Sequence, residues 1–84
     1  MTKIEVFTTL VCPYCVRAKQ LLDSLGADYE EIRVDLDDQR RAEMMERSNR
    51  RTVPQIFINR QSIGGCDDLY ALHRAGKLQP LLQA

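Results

Sequence analysis

Two cysteines lie three positions apart in the stretch Cys12-Pro13-Tyr14-Cys15. The stretch follows an apolar run and opens a helical pattern, so Cys12 is expected at a helix N-terminus, facing backbone N–H groups without intrahelical partners. Such a position lowers a thiol's pKa from about 8.5 to roughly 3.5–7.5, and the thiolate is the nucleophile. Cys15 lies one turn further on, close enough to attack a disulfide formed at Cys12, and Pro13 suits the first turn. The stretch therefore predicts a dithiol–disulfide cycle.

The residues on either side of the cysteines predict a β-α-β unit. Residues 3–7 are β-rich, residues 13–25 repeat apolar side chains at helical spacing, and residues 29–34 form the next strand candidate. Two parallel strands with a crossover helix take about 30 residues, which is the length of this unit. The helical pattern places Cys15 on the apolar face, so Cys15 is expected to be buried and Cys12 to be the exposed, attacking thiol.

The second half of the chain predicts a helix, a hairpin and a last helix. In chain order these are a helix at 38–48, strands at 54–58 and 61–63, a helix at 67–74, and a final packed turn formed by Leu78, Leu81 and Leu82. The order β-α-β-α-β-β-α predicts the α/β class, with a four-stranded mixed sheet and helices on its faces.

Length and composition limit the possible functions. The 84 residues predict a single domain spanning residues 1–84. The chain has 12 basic and 12 acidic residues, so its charge gives no reason to expect nucleic acid or a membrane as a partner. No stretch reaches the ~18 apolar residues of a membrane span, and the N-terminus lacks the apolar run of a secretory signal, so a cytoplasmic location is expected. In that reducing compartment, three cysteines point to redox chemistry rather than a disulfide framework.

A locally basic stretch contains Arg40, Arg41, Arg47, Arg50 and Arg51. We interpret it as a solvated helix face or as contacts to a ligand carboxylate, in preference to a polyanion site.

The cysteines also allow other interpretations. Zinc would need four ligands, and only Cys66 and His73 remain, at a spacing unlike a usual second pair, so no metal site is expected. Cys66 itself is either an extra redox or glutathionylation site, or a small residue whose backbone matters and whose sulfur does not. The second interpretation is favoured, although a position at a helix start can lower the pKa of a thiol.

Three separated motifs together resemble the glutaredoxin family, specifically its small bacterial dithiol type. They are Cys12-Pro13-Tyr14-Cys15, Thr52-Val53-Pro54 and Gly64-Gly65-Cys66-Asp67-Asp68. The resemblance covers essentially the whole chain and implies the thioredoxin fold, with sheet order 2-1-3-4. It implies a monomeric enzyme that reduces protein disulfides and glutathione mixed disulfides, with glutathione as co-substrate and no tightly bound cofactor. Ribonucleotide reductase is among the protein partners it suggests.

The resemblance also implies residue roles. Cys12 would attack the substrate and carry a glutathionyl group, and Cys15 would resolve protein disulfides. A cis Pro54 would let the Val53 backbone pair with the ligand like an added strand. The helix start near Cys66 would bind the γ-glutamyl carboxylate, and Asp67 would pair with its amino group. The glutathione-binding residues implied are Pro13, Tyr14, Thr52, Val53, Pro54, Gly65, Cys66 and Asp67.

One departure from the family pattern concerns the residues before the cysteines. Many members carry a lysine there, whereas this chain has Thr8-Thr9-Leu10-Val11. Weaker ligand affinity or weaker thiolate stabilisation would follow, unless Gln39, Arg40 or Arg51 contacts the ligand's glycine carboxylate instead.

Two rival functions remain open at the level of sequence. One is a glutaredoxin-like donor reduced by thioredoxin reductase, against which Tyr14 and the Gly64–Asp67 anion site argue. The other is an iron–sulfur carrier in which Cys12 from two chains and two glutathiones hold a cluster. A thiol at Cys15 argues against that carrier, because an internal disulfide would compete with cluster ligation.

Overall fold

The computed structural model describes residues 2–83, which form one mixed sheet with helices on both faces. The elements are β1 (Ile4–Thr8), α1 (Pro13–Ser24), β2 (Glu30–Arg33), α2 (Asp38–Ser48), β3 (Gln55–Ile58), β4 (Gln61–Gly64), α3 (Cys66–Arg74) and α4 (Leu78–Leu82). Every predicted strand and helix is present within a residue or two of its expected bounds. The final packed turn is a short fourth helix, in which Leu78 is buried.

The strand order is β2-β1-β3-β4, as the resemblance implies. β1 pairs in parallel with β2 and antiparallel with β3, and β3 pairs antiparallel with β4. The two central strands are therefore β1, which leads into the cysteines, and β3, which follows Pro54. This order brings the end of β1 and the start of β3, which are distant in sequence, to the same end of the sheet.

Alternating side chains of the central strands build a core on each face of the sheet. Val6 and Ile56 lie in the larger core, with apolar side chains from α1, α3 and α4. Phe7 and Phe57 lie in the smaller core under α2, with their rings edge-on and 5.5 Å apart between centroids. Burial of the apolar face of α1 fixes this helix against the sheet, and its N-terminus carries the cysteines.

No helix within residues 2–83 is both long enough and apolar enough to span a membrane.

Candidate active site

Cys12 is the N-cap of α1, and Cys15 lies in its first turn. Pro13 occupies the first helical position and is exposed. The backbone N–H of Cys15 donates to Cys12 Sγ at 3.1 Å, so an otherwise unpartnered N–H of the first turn points at this sulfur. The two cysteines form a disulfide, with their Cα atoms 5.2 Å apart. The structure therefore represents the oxidised state of the predicted dithiol pair.

The two cysteines differ in exposure in the expected order, but the prediction that Cys12 is exposed is wrong. Cys15 is 1% exposed and Cys12 is 9% exposed. Cys12 is covered because its Sγ lies 3.8 Å from the carbonyl oxygen of Val53, on the loop before β3. The loop before β3 therefore borders Cys12 directly.

The loop before β3 contains the cis peptide bond that the resemblance implies, between Val53 and Pro54. Val53 is half-buried and Pro54 is buried, while Thr52 is exposed. The loop reaches Cys12 across 41 positions of sequence because β1 and β3 are neighbours in the sheet.

A cavity of about 320 Å³ lies beside this loop. Its wall comes from three places: the first turn of α1, the loop before β3, and the start of α3. The lining residues are Tyr14, Arg50, Thr52, Val53, Pro54, Gly65, Cys66, Asp67 and Asp68. All of the glutathione-binding residues expected from the sequence lie here except Pro13.

The start of α3 is shaped by Gly65 and Asp68. Gly65 is the N-cap, and a Cβ there would lie 3.4 Å from the carbonyl oxygen of Pro54, so a side chain would crowd the loop. The Gly65 N–H donates to the Asp68 carboxylate at 2.9 Å. This hydrogen bond, together with the Arg50 guanidinium 2.8 Å away, lowers the pKa of Asp68 below its ordinary value. Asp68 therefore fixes the helix start, whereas the exposed Asp67 is free to meet a ligand from the cavity rim.

Sequence reasoning missed the roles of Arg50 and Asp68. Asp68 stands three positions after Gly65, which is the spacing of a capping box and could have revealed it. Arg50 belongs to the basic stretch, but nothing in its neighbourhood marks it as the cation of the cavity. The three residues that were expected to replace the missing lysine as contacts to the glycine carboxylate lie outside the cavity wall. Arg40 pairs with Glu43 and lies over the Phe7 ring. Neither Gln39 nor Arg51 lines the cavity.

Cys66 is a buried free thiol at the first position of α3. Burial raises its pKa, and the neighbouring Asp67 carboxylate adds to the effect, while Arg17 opposes it. The net shift of the Cys66 pKa is therefore upward, so the helix start does not make this residue a low-pKa thiol. This supports the interpretation that the Cys66 backbone, rather than its sulfur, matters.

The loop before Cys12 is held by carboxylates. Thr8 donates to Glu31, which also pairs with Lys19, and the Leu10 N–H donates to Asp35 at 3.4 Å. The Arg33 guanidinium lowers the pKa of Asp35 to about 2, so this carboxylate stays ionised. No Lys or Arg is present among residues 8–11 to contact a ligand.

Within residues 2–83, no cluster of three or more His, Cys, Asp or Glu side chains has an arrangement that could hold a metal ion.

Comparisons with known proteins point to one family. Residues 4–63 match the family model described as glutaredoxin. Glutaredoxin 3 of Escherichia coli strain K12 is 54% identical over 83 residues, covering 99% of this chain and 100% of that protein. A glutaredoxin of Pseudomonas aeruginosa is 51% identical over 84 residues, covering all of both chains.

Solved structures agree with the sequence comparison. The buckwheat glutaredoxin–glutathione complex superimposes with a TM-score of 0.90 at 41% identity, covering 98% of this chain and 77% of that one. The solution structure of glutaredoxin from Brucella melitensis gives a TM-score of 0.86 at 52% identity, covering 98% and 89% of the two chains. With its cysteine pair, its cavity and this similarity along nearly its whole length, the chain belongs to the glutaredoxin family.

Proposed function

We propose that this chain, a glutathione-dependent thiol–disulfide oxidoreductase, attacks its substrates through the Cys12 thiolate. The observation that supports this assignment best is the position of Cys12 Sγ, at the N-terminus of α1 and 3.8 Å from Val53 O beside the cavity. Cys15 is almost fully buried behind it, so an external sulfur reaches Cys12 first.

With a glutathione mixed disulfide, the Cys12 thiolate attacks the glutathione sulfur. A bond forms between Cys12 and glutathione, and the substrate thiolate leaves and takes up a proton. A second glutathione thiolate then attacks the glutathione sulfur on Cys12, which releases glutathione disulfide and restores the Cys12 thiolate. Cys15 takes no part in this route.

With a protein disulfide, both cysteines take part. Cys12 forms a mixed disulfide with the protein, and the Cys15 thiolate then attacks Cys12 Sγ. The protein leaves with two reduced thiols, and the chain retains the Cys12–Cys15 disulfide seen here. Two glutathione molecules reduce that disulfide and become glutathione disulfide.

Glutathione is proposed to occupy the 320 Å³ cavity. Its cysteinyl backbone pairs with Val53, and Tyr14 and Thr52 form the walls. The γ-glutamyl carboxylate meets the N–H groups at Cys66 and Asp67, and the Asp67 carboxylate pairs with the amino group. Arg50 is the cation of this cavity, and we assign it to a ligand carboxylate.

The wider setting is also a proposal. Residues 1–84 would act as one domain and as a monomer in the cytoplasm, passing electrons from glutathione to disulfide-bearing or glutathionylated proteins. Ribonucleotide reductase is one candidate among these proteins. Pro13 would serve by starting α1 rather than by touching glutathione.

The test is turnover of a glutathione mixed disulfide with glutathione and glutathione reductase as the reducing system. The native chain and Cys15→Ser should both turn over, and Cys12→Ser should not, because only Cys12 is needed for this route. Turnover that survives in Cys12→Ser would refute the assigned nucleophile. If no chain turns over, but thioredoxin reductase reduces the native disulfide, the rival donor function would replace this one.

A further inference from the structure

Gln55 is a polar residue in an otherwise apolar strand. It is the first residue of β3, directly after the cis Val53–Pro54 bond, and its side chain has no exposed surface. The three residues that follow it, Ile56, Phe57 and Ile58, are all buried apolar core. Burying a primary amide costs free energy unless its polar groups find partners, so its contacts require an explanation.

The Gln55 side chain folds back onto the loop that precedes it. Its Nε2 group donates to the carbonyl oxygen of Thr52 at 3.0 Å and to the Thr52 hydroxyl at 3.2 Å. Only the amide nitrogen can face the Thr52 carbonyl, because the amide oxygen would meet another acceptor there. One side chain thus fixes both the backbone and the side chain of Thr52.

The other half of the same amide has no partner. Gln55 Oε1 is buried and accepts no hydrogen bond from any residue that the structure describes. An unsatisfied buried polar group typically costs about 1–3 kcal/mol. An apolar residue of similar shape would avoid that cost, so packing alone does not explain a glutamine here.

The two hydrogen bonds act on the edge of the cavity. Thr52 and Val53 both line it, and the Val53 carbonyl oxygen lies 3.8 Å from Cys12 Sγ. A loop held in one geometry before the ligand arrives loses less conformational entropy on binding. Gln55 is not among the residues that line the cavity, so its effect on the ligand would pass through Thr52.

We propose that Gln55 is a positioning residue for glutathione, which holds Thr52 through its buried amide so that the Thr52–Val53–Pro54 edge of the cavity is preformed. This rests on the function proposed above, because it requires glutathione in that cavity. It adds a residue outside the cavity wall that sets ligand affinity without touching the ligand.

The direct test is Gln55→Met, which keeps the length of the side chain and removes both donors. Losing one or two hydrogen bonds that preform the loop should raise the KM for glutathione about 3- to 10-fold, with kcat changed less than about 2-fold. The matched control is Gln61→Met on β4, where the same substitution falls on an exposed residue outside the cavity wall. Its KM should equal that of the native chain.

The two kinetic constants separate positioning from a merely structural role. A residue needed only for folding would reduce the active fraction, and hence the apparent kcat, at unchanged KM. An unchanged KM in Gln55→Met would therefore overturn the proposal. Absence of turnover in the native chain would instead overturn the proposed function, and this inference with it.

A second measurement uses the native chain, in case Gln55→Met does not fold. S-methylglutathione lacks a free thiol and so binds without exchanging disulfides. In the ligand-free oxidised chain the Gln55 side-chain amide protons should already exchange slowly with solvent, and on titration the backbone amides of Thr52 and Val53 should shift while this protection is kept. Fast exchange of the Gln55 amide in the free chain, with protection gained only on ligand binding, would overturn the proposal. If none of these amide signals changes on titration, glutathione does not bind in this cavity, and the proposal is overturned.

Discussion

At the scale of single residues, two adjacent carboxylates at the start of α3 have different tasks. Asp68 accepts from the Gly65 N–H and pairs with Arg50, whereas Asp67 is exposed on the cavity rim. The resemblance suggested a ligand role for Asp67, but the ion pair between Asp68 and Arg50 could not be predicted, because it spans 18 positions.

Substitution of each carboxylate by alanine should separate these tasks. Asp68→Ala should lower the free energy of unfolding by about 1 kcal/mol, because it removes a helix-capping acceptor and a largely exposed ion pair. Asp67→Ala should lower the free energy of unfolding less, by about 0.3–0.5 kcal/mol from lost interaction with the helix dipole, and should raise the KM for glutathione. Guanidinium unfolding and steady-state kinetics on both variants provide the measurements. A loss of stability in Asp67→Ala equal to that in Asp68→Ala would contradict this division.

Cys66 should be unreactive in the folded chain despite its place at a helix start. Burial raises its pKa, so the thiolate is scarce near neutral pH and the sulfur is covered. When the reduced chain is treated briefly with iodoacetamide at pH 7, mass spectrometry of its peptides should find label on Cys12 and none on Cys66. The same treatment in guanidinium should label all three cysteines. Labelling of Cys66 at the rate of Cys12 in the folded chain would show that the thiol is accessible.

At the scale of elements, the contact between β1 and α2 depends on a buried ion pair. Glu5 lies in a central strand with its side chain 6% exposed, and Arg47 of α2 reaches it at 3.0 Å. The same guanidinium pairs with Glu43 at 2.7 Å and lies 4.2 Å from the centroid of the Phe57 ring. Arg47 thus joins a strand, its own helix and the aromatic core under α2.

Removing Arg47 should destabilise the fold strongly. Arg47→Met keeps most of the apolar stem but leaves the Glu5 carboxylate buried without its partner, which should cost about 3 kcal/mol, at the lower end for buried pairs because Arg47 is partly exposed. Arg40→Met on the same helix is the control, since its pair with Glu43 is more exposed and should be worth less than about 1 kcal/mol. Chemical unfolding of both variants measures the difference. Equal losses would show that burial of Glu5 carries no special penalty.

The bounds of these elements were predictable from local signals, whereas their cross-contacts were not. Pro13, Asp37 and Gly76 mark helix ends because their preferences act on the backbone nearby. The pairing of Glu5 with Arg47 spans 42 positions, and nothing in the sequence around either residue indicates it. The same holds for Gln55. The sequence shows a polar residue in an apolar strand, but its hydrogen bonds to Thr52 depend on the conformation of the loop before β3.

At the scale of the whole molecule, the site forms because the strand order places β1 beside β3. The motif residues and the fold were predictable, because each motif carries its own chemistry and the β-α-β pattern is regular. The reduced exposure of Cys12 was not predictable, because it comes from the Val53 carbonyl brought alongside by β1–β3 pairing.

The whole molecule should lose stability in acid. The pKa values of Glu5, Glu31 and Asp68 are lowered in the folded state by their hydrogen-bonded partners, and that of Asp35 is lowered to about 2. The unfolded chain therefore binds more protons in this range. The stability these groups contribute is present above their ordinary values of 3.8–4.5 and is lost as the pH falls through the folded values.

The guanidinium concentration at the unfolding midpoint should accordingly decrease as the pH is lowered from about 5 to about 2. The double variant Glu5→Gln with Arg47→Met lacks one of the coupled groups and should show a shallower decline. A midpoint that stays constant or rises over this range in the native chain would contradict the assigned pKa directions.

The neighbouring positions of Cys12 and Val53 also affect the chain while it is being made. A ribosome that has just released the β-α-β unit has delivered both reactive thiols and the helix that carries them, but not the loop that covers Cys12. For roughly 20 further codons, from the end of β2 at Arg33 to the loop at Val53, the nascent polypeptide carries this thiol pair without the loop that borders the cavity. Completion of translation, rather than emergence of the cysteines, therefore completes the cavity, because the start of α3 supplies the last part of its wall.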